Sequence, residues 1–487
     1  MNFSSIPFAL IFLPSFLIVY LFAKPAYRFG VLLIASIIFL AVGQWTALPW
    51  LLGLGLAGYA FGRVIAARLE KGQSASVWLW IGVGLNLGLL LAFKLLTTYQ
   101  PAGIAVAGFP LAEIVLPLGL SYFTFQVIAY EVDIVQGNIP VEKNLFRFLM
   151  YVLFFPKVAA GPITKYQNFT AQIDSLKPSE MDVLSGLSRI FVGEVKTIFI
   201  ARSLGLFVNP IFNRSQADIE PGLAWLVLLA SFLQIYFDFS GYTDIAIGLG
   251  RVIGIRLPEN FNYPFISQSI SDFWRRWHMT LIAWLREYVF YPLERRRLRF
   301  AGQQVNLLIV FLLTGLWHGP TLNYILWGLL QGLAIVFEST PPGKWWLRTA
   351  WRPLRYLYTL ALVLVSWVFF RSTSLSFAFG FLGRLTGNRA GLNSFDGSRL
   401  VVEPSLVAVL FIALIFAMPV ARLILKWLEN PAVTQTFFYA RQNPVISIIW
   451  QTKRWWLTSM AIVLSIFGVM FALFFNSAPA EFVYVGF

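Results

Sequence analysis

The strongest constraint on this chain is a series of apolar runs, each close to the roughly 20 residues needed to cross a bilayer as a helix. They fall at 6–22, 29–44, 47–62, 76–97 and 112–130, then at 184–209 and from Leu223 onward, and last at 354–371, 404–424 and 456–476. Only 12% of the residues are charged, where soluble domains carry about 25%. In hydrocarbon the backbone must satisfy its own hydrogen bonds, and runs of this length do so as helices. The expected fold class is therefore an all-α, polytopic integral membrane protein.

The connections alternate in charge. Lys24/Arg28, Arg63/Arg68/Lys71 and Lys143/Arg147 fall on one side, while Gln44-Trp45-Thr46 and the Lys/Arg-free 97–112 fall on the other. The basic side is assigned to the cytoplasm. No basic residue precedes the first run, the reverse of a cleavable signal peptide, so it is expected to be a retained span with the N-terminus outside, in the inner (plasma) membrane. The net charge of +15 belongs to these loops and implies no nucleic acid. The chain has no Cys, which excludes a thiol nucleophile, a Cys-based metal site and an internal disulfide.

Two regions break the pattern of simple spans. Pro117, Pro156 and Pro162 interrupt apolar runs, and proline ends or kinks a helix. Either they mark broken helices around a cavity or they punctuate loops at the interface. Further on, Gln-Ile-Tyr-Phe-Asp-Phe-Ser-Gly-Tyr-Thr-Asp-Ile (234–245) sets Asp238 and Asp244 in an apolar run. Such carboxylates face protein or water and are functional candidates; equally, they can tether helices through buried hydrogen bonds.

A basic stretch follows. Pro258 and Pro264 keep 256–265 non-helical, and Ser269 with Asp272 has the spacing of a capping box. The pattern predicts one helix from 270 to Tyr291, stopped by Pro292. At 100° per residue Phe273, Trp277, Trp284, Tyr288 and Tyr291 share a face opposite Arg275 and Arg286, which reads as an in-plane interfacial helix. Residues 271–299 hold seven Arg (275, 276, 286, 295, 296, 297, 299) against three acids. They can anchor anionic membrane lipid, or some, Arg275 and Arg276 first, can bind a phosphate-bearing donor.

The chain has only two histidines. His278 falls on the flank of the predicted interfacial helix and reads as donor-side or structural. His318 ends an apolar helix from Gln304, where Gly319 and Pro320 favour a stop. Fifteen residues reach about 22 Å, short of the roughly 30 Å hydrocarbon core, which leaves His318 inside the membrane. A second short helix is expected over 321–338. A buried imidazole near neutral pH is the usual general base for acyl transfer to oxygen, although a lone intramembrane His is also a common packing residue. The histidines lack metal-site spacing and no Gly-x-Ser-x-Gly elbow occurs, so neither a zinc site nor that serine triad is expected. The connection 372–403 is expected outside. No internal repeat or soluble boundary appears, and 1–487 reads as one membrane-embedded unit: N-terminal spans (1–110), a motif-bearing core (112–340) and C-terminal spans (350–487).

Three of these stretches carry a family resemblance. Tyr-Phe-Asp-Phe-Ser-Gly-Tyr-Thr-Asp-Ile-Ala-Ile-Gly (236–248), Glu-Asn-Phe-Asn-Tyr-Pro-Phe-Ile-Ser-Gln-Ser-Ile-Ser-Asp-Phe-Trp-Arg-Arg-Trp-His (259–278) and Gly-Leu-Trp-His-Gly (315–319) resemble the membrane-bound O-acyltransferases. They are most similar to the bacterial branch of the alginate O-acetyltransferase membrane subunit. Weaker similarity covers Asn2-Phe-Ser-Ser, Leu116-Pro-Leu-Gly-Leu-Ser-Tyr-Phe-Thr-Phe-Gln, Phe155-Pro-Lys-Val-Ala-Ala-Gly-Pro-Ile and Val368-Phe-Phe-Arg. The resemblance implies about 11 to 13 transmembrane or re-entrant helices around a central cavity. It makes His318 the near-invariant catalytic histidine and His278 the second motif position. It implies transfer of an acyl group from a cytoplasmic thioester, acetyl-CoA, to a hydroxyl of an extracellular glycan, with an extracytoplasmic acetyltransferase as partner protein and no bound cofactor. Arg275, Arg276, Trp277, Trp317, Asp238 and Asp244 are the candidates for contacts to donor or substrate.

Two departures weaken an assignment to alginate itself. After Tyr288-Val-Phe-Tyr-Pro-Leu the alginate-type members commonly continue Gly-Gly-Asn-Arg, where this chain has Glu294-Arg-Arg-Arg; where many carry a further His, it has Gln331. Two alternatives stand beside glycan O-acetylation. One is D-alanyl transfer from a carrier protein to teichoic acid. The other is a transporter or exporter, suggested by broken helices and buried Asp, whose transport would survive loss of ester formation.

Overall fold

A computed structural model describes Phe3, Ser5 and residues 7–99, 105–106, 109–110, 115–214, 219–296, 302–388 and 403–420. The expected span at 456–476, Arg297 and Arg299, and residues 389–402 of the 372–403 connection lie outside the described residues. The helices are α1 (Leu13–Phe22, entered through a wide turn at Pro7–Phe12), α2 (Pro25–Gln44), α3 (Leu48–Glu70), α4 (Ser76–Tyr99) and α5 (Leu120–Val135). Next come α6 (Leu145–Leu153), α7 (Phe155–Val158), α8 (Tyr166–Ile173), α9 (Glu180–Glu194), α10 (Arg202–Phe212) and α11 (Pro221–Ile253). The remainder are α12 (Ile270–Trp274), α13 (Met279–Leu285), α14 (Tyr291–Arg296), α15 (Gln303–His318), α16 (Leu322–Ser339), α17 (Pro341–Thr349), α18 (Arg352–Arg371), α19 (Leu375–Leu385) and α20 (Pro404–Ala417). The chain is thus an all-α polytopic membrane protein. Among the described residues six helices (α2, α3, α4, α11, α16 and α18) are long and apolar enough to cross a bilayer.

The core is built on α11, whose 33 residues extend for about 50 Å. All but a few of its side chains are buried, so it runs through protein rather than along lipid. Its partner α9 comes within backbone contact: a Cβ on Gly193 would lie 2.6 Å from the carbonyl oxygen of Gly241. Small residues allow this approach, and packing then replaces the hydrophobic drive that lipid removes.

The loops gather at two opposite ends. At the basic end, Tyr59 Oη donates to the carbonyl of Lys143 (2.7 Å) and Arg28 Nη1 to that of Leu176 (2.7 Å). Arg147 pairs with Glu142 and Asp174, and Arg256 with Asp182. The Ser179 hydroxyl and amide donate to Asp182, which holds that carboxyl below the usual carboxylate range. At the other end, Gln44 bonds the backbone of Leu116 and Leu118, Tyr99 Oη donates to the carbonyl of Pro320, and Trp225 Nε1 to that of Leu385. The alternation of loop charge therefore matches an alternation in space.

Three expectations are corrected. The run at 112–130 becomes helical only at Leu120, because Pro117 and a left-handed Gly119 (φ 80°) precede it. A Cβ on Gly119 would sit 2.0 Å from the Val158 carbonyl oxygen, so only glycine fits this contact. The break at Pro117–Gly119 thus abuts the end of the short helix α7 at Val158, and Phe155 N–H donates to Ser36 Oγ in the middle of α2. The break is buried in protein, where irregular backbone inside a membrane protein is tolerated. Second, the connection 372–403 contains α19 rather than running as loop throughout.

The third correction concerns 270–291, which is not one helix. Ser269 caps α12, accepting from Asp272 N–H (2.9 Å), and Glu338 accepts from the amides of Ile270 and Ser271. After Trp274 the chain leaves the helix. Asn262 N–H donates to the Arg276 carbonyl and Met279 N–H to the Asn260 carbonyl, both at 2.9 Å. These bonds draw 276–279 alongside 260–262 and turn the backbone through a left-handed His278 (φ 46°) before α13 begins. Long-range pairing overrides the helical period, and the predicted aromatic and cationic faces do not persist through the segment.

Candidate active site

His318 is the last residue of α15. That helix packs against α16 with backbones in contact: a Cβ on Gly328 would meet the Phe311 carbonyl oxygen at 2.4 Å, and one on Gly315 that of Tyr324 at 2.3 Å. The close approach carries the imidazole into an aromatic box. Its ring centroid is 4.6 Å from Trp317, 4.9 Å from Phe370, 5.2 Å from Trp327 and 6.2 Å from Tyr324. His318 is buried, as the sequence led one to expect. Lys94 Nζ donates to the His318 carbonyl (3.0 Å) and lies 5.7 Å from the Trp317 ring. Buried Lys94 thus fills the role of a helix C-terminal cap. It is the only charged residue in α4, and an isolated cation in an apolar span is the signal that should have singled it out.

His278 is placed differently from its reading as a residue on the flank of an interfacial helix. It is 1% exposed, packed 4.7 Å from Phe239 and 6.3 Å from each of Tyr122 and Trp317. Trp317 is therefore a shared neighbour of both imidazoles, and it also stacks on Phe125 (5.4 Å). The two histidines, far apart in sequence, line one interior. His278 Nδ1 is 3.1 Å from Asn260 Oδ1, a residue that carried no signal in the chain beyond its place in the motif.

The remaining candidates divide. Trp277 is buried among Phe261, Phe273 and Trp367, at 5.1 to 5.5 Å. Arg276 donates to Asp272 and to the Asn262 carbonyl, bracing the turn that carries His278. Arg275 is mostly exposed, with Asp272 at 3.5 Å. Asp244 receives Arg189 and Lys196, both at 2.6 Å, and Arg189 also holds Glu259. Asp238 faces the other way, toward the Arg371 guanidinium, which donates to Asn209. Six residues along a helix turn a side chain well away from its predecessor, so the two carboxylates serve separate neighbourhoods. Gln331 accepts from Trp274 Nε1 (2.9 Å) and donates to Ser366 (2.7 Å), tying α12 to α18.

Two cavities flank the His278 turn. One, of about 310 Å³, runs from Lys165, Arg256 and Glu287 at the basic end to Thr280 and Trp284. The other, of about 710 Å³, is lined by Arg189, Lys196, Asp244, Asn262 and Met279. Among the described residues no three His, Cys, Asp or Glu side chains gather as a metal-holding group. Neither cavity is lined by His278 or His318; the arrangement offers two imidazoles in a buried aromatic interior, which suits proton transfer during attack on a carbonyl.

Comparison with known proteins agrees. A model of the membrane-bound O-acyltransferase family matches residues 138–341, a segment that includes both histidines. The chain is 36% identical over 438 residues to a protein named "Probable alginate O-acetylase AlgI" from Azotobacter vinelandii, covering 86% of each. It is 33% identical over 393 residues to the peptidoglycan O-acetyltransferase of Helicobacter pylori, covering 73% of each. It is 32% identical over 267 residues to the teichoic acid D-alanyltransferase of Bacillus subtilis, covering 52% of this chain and 66% of the relative. Near-full-length identity at this level, with the motif histidines inside one buried site, makes this chain a member of the membrane-bound O-acyltransferase family and an O-acyltransferase.

Proposed function

We propose that the chain moves an acetyl group from acetyl-CoA in the cytoplasm to a hydroxyl of an extracytoplasmic polysaccharide, or of a partner acetyltransferase that passes it on. The observation that carries this reading is the pair of imidazoles sharing Trp317 in a buried interior. In the proposed step His318 takes the proton of the acceptor hydroxyl as its oxygen attacks the thioester carbonyl. The C–O bond forms, the C–S bond breaks, and the proton leaves with the thiolate as thiol. His278 is the second imidazole of the same site. The basic end faces the cytoplasm of the inner membrane, with the N-terminus outside, and the cavity from Lys165 and Arg256 to Thr280 is the donor's route. Arg275 offers the donor's phosphates a guanidinium, with Trp317 nearer the reacting group; Arg276, Trp277, Asp238 and Asp244 hold the surrounding frame. Identity to alginate and peptidoglycan O-acetylating relatives supports a glycan acceptor.

The test is to replace His318 by Ala and measure base-labile acetyl on secreted and wall glycans, with membrane insertion checked in parallel. Unchanged ester would end the catalytic assignment. The similarity to a teichoic acid D-alanyltransferase favours one second reading, D-alanyl transfer from a carrier protein to teichoic acid. Supplying membranes with labelled acetyl-CoA or with D-alanyl carrier protein separates the two.

A further inference from the structure

We propose that Asn260 is a positioning residue that fixes His278 in the tautomer protonated on Nδ1, leaving Nε2 as the nitrogen that meets the substrate. The inference deepens the acyl-transfer reading and rests on it for the role of His278, although the tautomer itself is a separate matter of geometry.

Three donors converge on one oxygen. Asn260 Oδ1 lies 3.1 Å from His278 Nδ1, 3.2 Å from the Thr280 amide nitrogen and 2.9 Å from Thr280 Oγ1. A backbone N–H can only donate, so the Asn260 atom facing Thr280 is the carbonyl oxygen and not the amide nitrogen. This settles an orientation that the near-equal size of an amide's oxygen and nitrogen ordinarily leaves open. The Thr280 hydroxyl is itself fixed, because it accepts from Ile163 N–H at 3.1 Å; its own proton is then directed at Asn260. An oxygen without a proton can bond Nδ1 only if Nδ1 carries one. A neutral imidazole has a single ring proton, so Nε2, on the far side of the ring from Asn260, is the lone-pair nitrogen.

The backbone reinforces the same pair. Met279 N–H donates to the Asn260 carbonyl (2.9 Å), so Asn260 holds the turn and the ring together. His278 keeps its left-handed φ of 46°, a conformation that costs a non-glycine residue of order 1–3 kcal/mol and persists where the surroundings enforce it. Asn260 Nδ2 makes no hydrogen bond among the described residues, which leaves the oxygen as the whole of the side chain's contribution. An aspartate at 260 can therefore stand in for it, and an alanine cannot.

A chain with only two histidines makes this directly observable. Protein labelled with ¹⁵N-histidine is reconstituted in nanodiscs, and the two ring systems are assigned with a His318→Gln variant. The His278 ring is expected to show a protonated Nδ1 and an unprotonated Nε2. Asn260→Ala is expected to move the proton toward Nε2 and to lower acyl transfer about tenfold or more, the scale of losing a partner that orients a functional histidine. Asn260→Asp is expected to keep the Nδ1 proton and restore turnover. Should Asn260→Ala fail to fold, the wild-type spectrum still tests the tautomer by itself, because it reads which ring nitrogen of His278 carries the proton. A wild-type spectrum with the proton on Nε2, or Asn260→Ala with Nδ1 still protonated and turnover intact, would overturn the proposal. A fully active His278→Ala would instead overturn the part given to His278 in acyl transfer, while the spectrum alone decides the tautomer.

Discussion

The two histidines reach the same interior by opposite means. His318 ends a regular helix, where Gly319 and Pro320 stop α15 and the glycine contacts with α16 set its depth. His278 sits where a helix fails to continue, at a left-handed turn held by residues 260–262. The first position follows from local sequence. The second follows from pairing between segments, and its cost in backbone strain is met by hydrogen bonds to Asn260. One imidazole is delivered by a rod and the other by a clasp.

Substitutions can break this comparison, beginning with the imidazoles. His318→Ala and His278→Ala should each reduce ester formation by about 100-fold or more, measured as acetyl transferred per inserted protein. If only one does so, the two are not equal partners in the site. For the rod, Gly328→Val puts side-chain atoms where the Phe311 carbonyl lies. It should lower stability by about 1–3 kcal/mol and displace His318, read as a lower melting temperature together with lost turnover.

For the clasp, His278→Val and His278→Asn differ in one respect that matters. Valine in a left-handed turn should cost about 1–3 kcal/mol of stability, whereas asparagine tolerates that conformation and should melt near wild type while remaining inactive. Equal melting of the two variants would remove strain from the account. Lys94→Met deletes the donor to the His318 carbonyl and should reduce turnover roughly tenfold, the equivalent of a lost charged hydrogen bond. Its effect should fall on kcat more than on KM, because the lysine acts through the end of α15.

The smallest effect is expected at the rim. Arg275 is exposed and weakly tied, so Arg275→Gln should weaken donor affinity by about two- to fivefold, the scale of an exposed ion pair. Unchanged affinity for acetyl-CoA would return this arginine to holding membrane lipid.

Much of this was legible in the chain. The expected helices over 304–318 and 321–338 match α15 and α16 within two residues, because helix hydrogen bonds are local and Gly-Pro is a local stop. Loop charge separated the two ends correctly for the same kind of reason. The helix predicted over 270–291 failed because a periodic pattern registers side-chain spacing and not the backbone bonds that 260–262 make to 276–279. Lys94 was visible as an isolated charge, but its partner, a carbonyl on another helix, was not.

By itself, then, the sequence determined a polytopic helical membrane protein, the end of α15 at His318, and the motifs that place the chain in its family. Only the tertiary structure decided that His278 turns inward to share Trp317 with His318, and that Asn260 and Lys94 brace the two. The physical reason is range. Burial in lipid and helix termination are set by residues within a few positions of one another, whereas a buried polar site is assembled from groups whose hydrogen-bond partners lie on other segments.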